Sequence, residues 1–426
     1  MVLNVPAEIT LAPEPAPPGL ADLRRRPTGR PDRLRHRTVL VVGSDGAFAG
    51  PAVTSPVAGL ATHLAARAGA VTLLTGLSLR PDGRADRRYR FGLTFRETPR
   101  GPASPHVTRL RHDVAGGRTP TARLAGDLVF AARCLLTPLG GSPDLVVAVT
   151  PGPGGALAAA RLAGRHGVPL LVVVQDLLGG DPGRAASTLT RLERAALNRA
   201  TRVAVVSEPL WGAVRDLGVP PDRIVLLPQV TEPAPVVDRL TARRRCGWRQ
   251  GSFLVAVPDP LSPTLDLATV LEAGRRLGPR AELVLLAPAG DAGRLTDRVG
   301  GRPRVHVAEA GDAPARSLVL AAADVLVVGD ERRAAPRGLM ECFRAGRPVV
   351  AAVAADGAAA HELTLSRGAG IVVRPGEPGL LAGAIGELRR DEALRTAMGG
   401  AGRLHAHHLL DRGAALLALD ALVDAL

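Results

Sequence analysis

The feature that most constrains this chain is an alternation of short apolar runs with helical segments, sustained from Thr38 almost to the last residue. The first series of runs is Thr38–Val42, Val71–Thr75, Leu145–Val149, Leu170–Val174, Arg202–Val206 and Ile224–Leu227. A second series follows at Phe253–Val257, Leu283–Leu286, Val305–Val307, Val325–Val328, Val349–Val353 and Ile371–Val373. Contiguous Val- and Leu-rich strands suit burial on both sheet faces, and helices between them make the crossovers of a parallel sheet. The expected class is α/β, with two Rossmann-like, doubly wound parallel-sheet domains in tandem.

Where the alternation lapses, the boundaries fall. Residues 1–37 are Pro-rich and then basic, with Arg24, Arg25, Arg26, Arg30, Arg33, Arg35 and Arg37, and read as a disordered arm. Residues 38–232 make the first domain; within it 80–120 are Arg-, Gly- and Pro-rich, with one candidate strand at Tyr89–Phe95. Residues 233–250 break the rhythm and read as the linker. Residues 251–400 make the second domain. Residues 401–426 are helical, with Leu416, Leu417, Leu419, Leu422 and Leu426 on an apolar face suited to crossing back onto the first domain.

Composition narrows the function classes. The formal charge is +14, carried by arginine alone, since the chain contains no lysine. Aromatics are 2% of residues, too few for a base-stacking surface, and the arginines are scattered, so no nucleic-acid partner is expected. The charge does favour phosphorylated substrates and peripheral contact with an anionic membrane. Cys134, Cys246 and Cys342 are too far apart for a metal or redox motif, and a reducing cytoplasm fits them. No signal-type segment or spanning apolar run appears, so the expected location is cytoplasmic, including the inner face of the membrane.

Four stretches could carry chemistry. Pro336–Val350 (PRGLMECFRAGRPVV) opens with a proline suited to a first helical turn. It continues with an apolar stripe of Leu339, Met340 and Phe343, stops at Gly346 and Pro348, and leads into a strand. A helix opening at a strand edge can offer bare amides to phosphates, and Glu341 can accept from ribose hydroxyls; an ordinary packing helix has the same spacing. The loop from Gly43 through Gly50 and Pro51 is glycine-rich, but Pro51 and Pro56 delay the helix. The second strand ends Leu74-Thr75-Gly76 with no acid, so NAD binding is not expected. Gln175-Asp176 closes a strand at the carboxyl edge, where Asp176 could contact a substrate hydroxyl or cap the next segment. His405 and His408 share a helical face, but no carboxylate or Cys spacing completes a metal site, and a solvated face is expected.

Taken in order, these pieces resemble family 4 retaining glycosyltransferases of the two-Rossmann GT-B fold, closest to the capsular, exopolysaccharide and colanic-acid-type subgroup. Gly50-Pro51-Ala52, Val71–Gly76, Pro143–Val147 ("PDvV"), Val174–Leu177 ("vqDl") and Gly218-Val219-Pro220 follow the family's order. Pro336–Pro348 is similar to its "PSKLxEYxAAGRP". The resemblance implies two domains facing a cleft, with a UDP- or GDP-sugar on the second domain as co-substrate and no other cofactor or metal. It implies a glycan, lipid-linked or natural-product acceptor on the first domain. Glu341 would hold the ribose, while Leu339, Gly338 and Arg337 at the helix start would face donor sugar or diphosphate. Gly50 and Pro51 would close over the diphosphate, and Asp176 and Gln175 would stand on the acceptor side as catalytic candidates. Transfer with retention needs positive charge at the leaving diphosphate more than a general base.

The sequence departs from that pattern where the charge should be. The family carries an Arg and a Lys after the first strand of the second domain; here Pro260 and Leu265 stand there. Arg333 replaces the earlier acid of the usual pair, and Arg337-Gly338 the Ser-Lys. Two charge-assisted contacts at roughly 1.5–3 kcal/mol each amount to about a hundredfold or more in donor affinity. Arg332, Arg333 and Arg337 are the neighbouring charges that could substitute. Two functions therefore stand: a glycosyltransferase, or a degenerate GT-B relative serving as partner or scaffold of an active one.

Overall fold

Each apolar run becomes a strand whose successive side chains leave on opposite faces. The described residues of the computed structural model are 33–44, 56–77, 89, 91–97, 101, 103–112, 120–150, 152–177, 184–227, 237–262, 265–287, 291–309, 313–329, 337–409 and 412–426. In β1 (Thr38–Gly43), Leu40 and Val42 join one buried cluster while Val39 and Val41 join the other. This division between two layers is why the run must be apolar throughout.

The first sheet also contains β2 (Ala70–Gly76), β3 (Thr94–Glu97), β4 (His106–Leu110), β5 (Leu145–Val149), β6 (Leu170–Val174), β7 (Arg202–Val205) and β8 (Ile224–Leu226). Its order is β3-β4-β2-β1-β5-β6-β7-β8, parallel except for the β3–β4 pair. The helices are α1 (Pro56–Ala65), α2 (Pro120–Leu136), α3 (Pro153–His166), α4 (Arg184–Leu197) and α5 (Glu208–Asp216). The order reverses between β2-β1 and β5-β6, so a topological switch point lies at the carboxyl ends of β1 and β5.

The second domain repeats the plan. It contains β9 (Phe253–Val257), β10 (Ala281–Ala287), β11 (Val305–Glu309), β12 (Val325–Val328), β13 (Val349–Ala352) and β14 (Gly370–Val373). The order is β11-β10-β9-β12-β13-β14, all parallel, with the switch point between β9 and β12. Its helices are α6 (Arg239–Cys246), α7 (Leu267–Arg276), α8 (Ala292–Val299), α9 (Ala313–Ala322), α10 (Arg337–Ala345), α11 (Ala358–Leu365), α12 (Pro378–Arg390) and α13 (Glu392–Leu409). The last helix, α14 (Arg412–Asp424), returns to the first domain. There Leu419, Leu422 and Val423 pack in one buried cluster with Val39, Val41 and Leu64. Asp420 holds it in place, accepting from His63 at 2.8 Å and Arg67 at 2.6 Å.

Four expectations change. The candidate strand Tyr89–Phe95 is displaced to Thr94–Glu97, because Gly92 takes φ 119°, which no continuous strand tolerates. Tyr89 is buried instead, its ring 5.0 Å from Phe95 and its hydroxyl on Glu97. Part of the 233–250 linker is helix α6, capped by Asp238 and fixed to the second domain by Arg243. That fully buried guanidinium reaches Asp324 at 2.6 Å and the carbonyls of Ala322 and Gln250 at 3.0 and 2.6 Å. His405 is not on a solvated face: it meets Glu362 at 2.5 Å and stands edge-on to Phe343. The end of the expected 1–37 arm is ordered as well: Arg33–His36 form a 3-10 turn that buries Leu34 in the same cluster as Val39 and Val41. Residues 1–32 and the His408 side chain lie outside the described residues.

Candidate functional site

Helix α10 forms from the stripe that begins at Leu339. Leu339, Cys342 and Phe343 are buried against the second sheet, which turns Glu341 toward the β9–β12 edge, half-exposed. Gly346 ends the helix at φ 66°. Facing α10 is α9, an Ala- and Leu-rich helix with one charge, Arg316. Its Nε donates to Glu341 Oε2 at 2.5 Å and its Nη1 to the carbonyl oxygen of Pro258 at 2.9 Å. Pro258 follows the last residue of β9, so Arg316 bridges the end of β9 to the acid on α10 at the switch point. Burial alone pulls the Arg316 pKa down, but the Glu341 carboxylate outweighs it, and the pKa lies above its ordinary value. The guanidinium stays charged at any working pH.

The segment after β9 is built for packing. Pro260 is buried, and Leu265 is 5% exposed within the domain core. Asp266 caps α7, accepting from Ala268 and Thr269 amides at 3.1 and 3.0 Å. Neither Pro260 nor Leu265 supplies a charge, and both are packed inward. Arg332, Arg333, Gly50 and Pro51 lie outside the described residues, as does the Arg337 side chain; Gly338 is half-buried in the first turn of α10.

On the first sheet, Gln175 and Asp176 follow β6 at its carboxyl edge. The Thr150 hydroxyl, just past β5, accepts from the Gln175 amide and donates to the Asp176 carbonyl, both at 3.1 Å. The Asp176 carboxylate accepts from the next amide, that of Leu177, at 2.8 Å. Gln175 is buried and Asp176 half-buried. Sequence reasoning missed a second acid here. Asp127 of α2 reaches the switch point of this sheet, accepting from the Gly154 amide at 2.5 Å at the start of α3. Burial pushes its pKa above the usual carboxylate range, against the pull of the Gly154 amide and of His112. Gly154 has to be glycine, because a Cβ there would overlap the Asp127 backbone.

The carboxyl edges of the two sheets approach one another. Glu208 opens α5 just beyond β7, His361 lies in α11 just beyond β13, and the two side chains stand 3.4 Å apart. Glu341 with Arg316 lies at the carboxyl edge of the second sheet, and Asp176 with Gln175 at the carboxyl edge of the first. Among the described residues no cluster of three or more His, Cys, Asp or Glu could hold a metal, and no helix is long and apolar enough to cross a membrane.

The architecture is similar to sucrose-phosphate synthase from Thermosynechococcus elongatus, at 17% identity over 92% of this chain and 99% of that one, TM-score 0.69. It is also similar to Anabaena Alr3699/HepE in complex with UDP-glucose, at 19% identity over 92% of this chain and all of that one, TM-score 0.66. The chain has the GT-B fold. A further GT-B likeness is to WaaG, a glycosyltransferase of lipopolysaccharide biosynthesis, at 16% identity over 88% of this chain and 98% of that one, TM-score 0.57. Residues 50–229 match the family model described as a glycosyl transferase 4-like domain. No curated relative matches the sequence.

Proposed function

We propose that this GT-B protein is a glycosyltransferase of the family 4 type. It would move a sugar from a UDP- or GDP-sugar to a glycan, lipid-linked or natural-product acceptor, with retention and without a metal. The observation that carries this reading is Glu341, held by Arg316 at the β9–β12 switch point. It stands on a helix whose sequence follows the family's donor helix. The glycosyl transferase 4-like match over 50–229 supports the reading, as does the likeness to a protein solved with UDP-glucose.

In this arrangement Arg316 occupies Oε2 of Glu341 and leaves Oε1 for a ribose hydroxyl. The opening amides of α10, beside Gly338, face the diphosphate, and their partial positive charge opposes the charge that develops as it leaves. Arg316 of α9, bound to Glu341 of α10, brings a cation to this edge of the sheet, and a guanidinium suits phosphate oxygens. Asp176 and Gln175, on the opposite edge, would meet acceptor hydroxyls.

A second reading, a non-catalytic GT-B partner or scaffold, is favoured by the burial of Leu265 and Pro260 where the family carries charge. Thermal melts with UDP and GDP separate the two. Saturating nucleotide at a hundred times Kd stabilises by about 2.7 kcal/mol. The enzyme reading expects a rise in Tm with one nucleotide that Glu341→Ala removes. No rise with either at millimolar concentration overturns it.

A further inference from the structure

The amino-terminal edge of the second sheet, opposite the cleft, carries a concentration of cations that the donor site does not use. Arg239, Arg347, Arg395 and Arg403 line one cavity of about 260 Å3, with Arg243 behind them. They come from the start of α6, the turn between α10 and β13, and two positions of α13. The acids present are Asp324, just before β12, and Glu392, at the start of α13.

These charges are not balanced by one another. Asp324 is saturated: Oδ1 accepts from Arg239 at 2.6 Å, and Oδ2 accepts from Arg243 at 2.6 Å and the Leu254 amide at 2.8 Å. Among the described residues Arg347 hydrogen-bonds one carbonyl, that of Ala321, at 3.1 and 2.8 Å, and pairs with no acid. Arg395 likewise spends Nη1 on the carbonyls of Leu388 and Arg389 at 2.6 and 3.0 Å. Arg403 lies against Gly346, where a Cβ would overlap its guanidinium, and forms no hydrogen bond or ion pair with any described residue. Burial, then the charge of Arg239, pushes Arg347 down to about 10; Asp324 offsets part of this, and Arg403 and Arg243 add to it. Arg239, Arg347 and Arg395 are partly buried and Arg403 is exposed at the mouth of the cavity. Like charges crowded together with their nearby acid already occupied repel one another, so an anion entering the cavity relieves repulsion already present.

We propose that this cavity is a second ligand site, separate from the cleft, that takes a phosphate group carrying two or more negative charges. Guanidinium forks arriving from separate elements match a tetrahedral, many-oxygen anion better than a flat carboxylate. A diphosphate, a phosphate monoester and a phosphorylated lipid headgroup share that chemistry.

The test is calorimetric titration of the full-length protein with inorganic pyrophosphate, paired with flotation on phosphatidylcholine vesicles with and without a phosphatidic acid component. Arg403→Gln removes a guanidinium that makes no hydrogen bond or ion pair with a described residue, and should weaken pyrophosphate binding about tenfold or more. Glu392→Gln removes the one unsaturated acid and should tighten it, an effect that damaged folding cannot produce. Arg316→Met, which alters the cleft, should leave it unchanged. Flotation that needs phosphatidic acid and is lost in Arg403→Gln assigns the phosphate to a lipid; pyrophosphate binding without flotation assigns it to a soluble ligand. Binding that survives Arg403→Gln but fails in Arg316→Met, or the absence of both pyrophosphate and vesicle binding, overturns the proposal. Whether UDP or GDP binds the cleft is read separately, by the nucleotide melts with Glu341→Ala, so the two proposals can fail independently.

Discussion

Arg316→Met offers the sharpest probe of the cleft, because one side chain holds two elements of the donor site together. The change keeps much of the side chain's length but deletes the bond to Glu341 Oε2 and the bond to the Pro258 carbonyl. Side-chain exposures of 26% for Arg316 and 44% for Glu341 place the ion pair near the surface range, roughly 1 kcal/mol. The carbonyl bond adds about 1 kcal/mol more. Stability should therefore fall by about 2 kcal/mol, a loss of roughly 4–8 °C in Tm by the scaling for 150–250-residue domains. Nucleotide affinity should fall by more than that loss explains, because Glu341 is no longer aimed. A double-mutant cycle with Glu341→Gln, read by calorimetric Kd for UDP or GDP, measures the dependence. Each single variant should weaken binding about tenfold or more, and the double variant should be far from the product of the two, with a coupling of about 1 kcal/mol or more. If Arg316→Met binds nucleotide as the parent does, or the two effects simply multiply, Arg316 is a packing residue and the site has been misread.

Two further perturbations test the frame around the cleft. Arg243→Met leaves Asp324 buried without one of its two arginine partners and four carbonyl acceptors unfilled, so the second domain should lose about 3–5 kcal/mol, read by urea melts. A loss below about 1 kcal/mol would show that water replaces the guanidinium there. Asp127→Asn should stabilise the protein at neutral pH. The folded pKa of Asp127 is raised, so its ionisation penalises folding above the usual carboxylate range and not below it. The gain should therefore shrink as pH falls to that range, and a gain equal at pH 4 and pH 7 would refute the buried-charge account.

The sheets were legible in the sequence because strands buried on both faces must be apolar without interruption; β1, β5, β6, β9 and β12 all read this way. The edge pair β3 and β4 was not, since Thr94–Glu97 is half-exposed along its length and carries Arg96 and Glu97 like a loop. Helix α6 read as linker because Arg243, Arg244 and Arg245 suggest solvent, and nothing in a sequence reveals that carbonyl oxygens wait to receive a buried guanidinium. Glu341 was found through its stretch of helix. Arg316 was not, although a lone arginine in the Ala- and Leu-rich run before β12 was the available signal. Its partner is 25 residues away, and only the packing of α9 beside α10 joins them. Asp127 was hidden for the same reason, its acceptor role depending on a glycine in another element.

Helix α14 has a consequence for how the protein comes into being. The first domain is synthesised first, yet Leu419, Leu422 and Val423, which follow the whole second domain in the chain, complete one of its two buried layers. Until α14 has been made, the face formed by Val39, Val41, Leu64 and Val147 has no covering helix, and the chain must carry an exposed apolar surface through the whole translation of the second domain. The order of synthesis and the order of completion are therefore opposed. A nascent chain stalled before residue 412 should be captured by chaperones that ignore the finished protein.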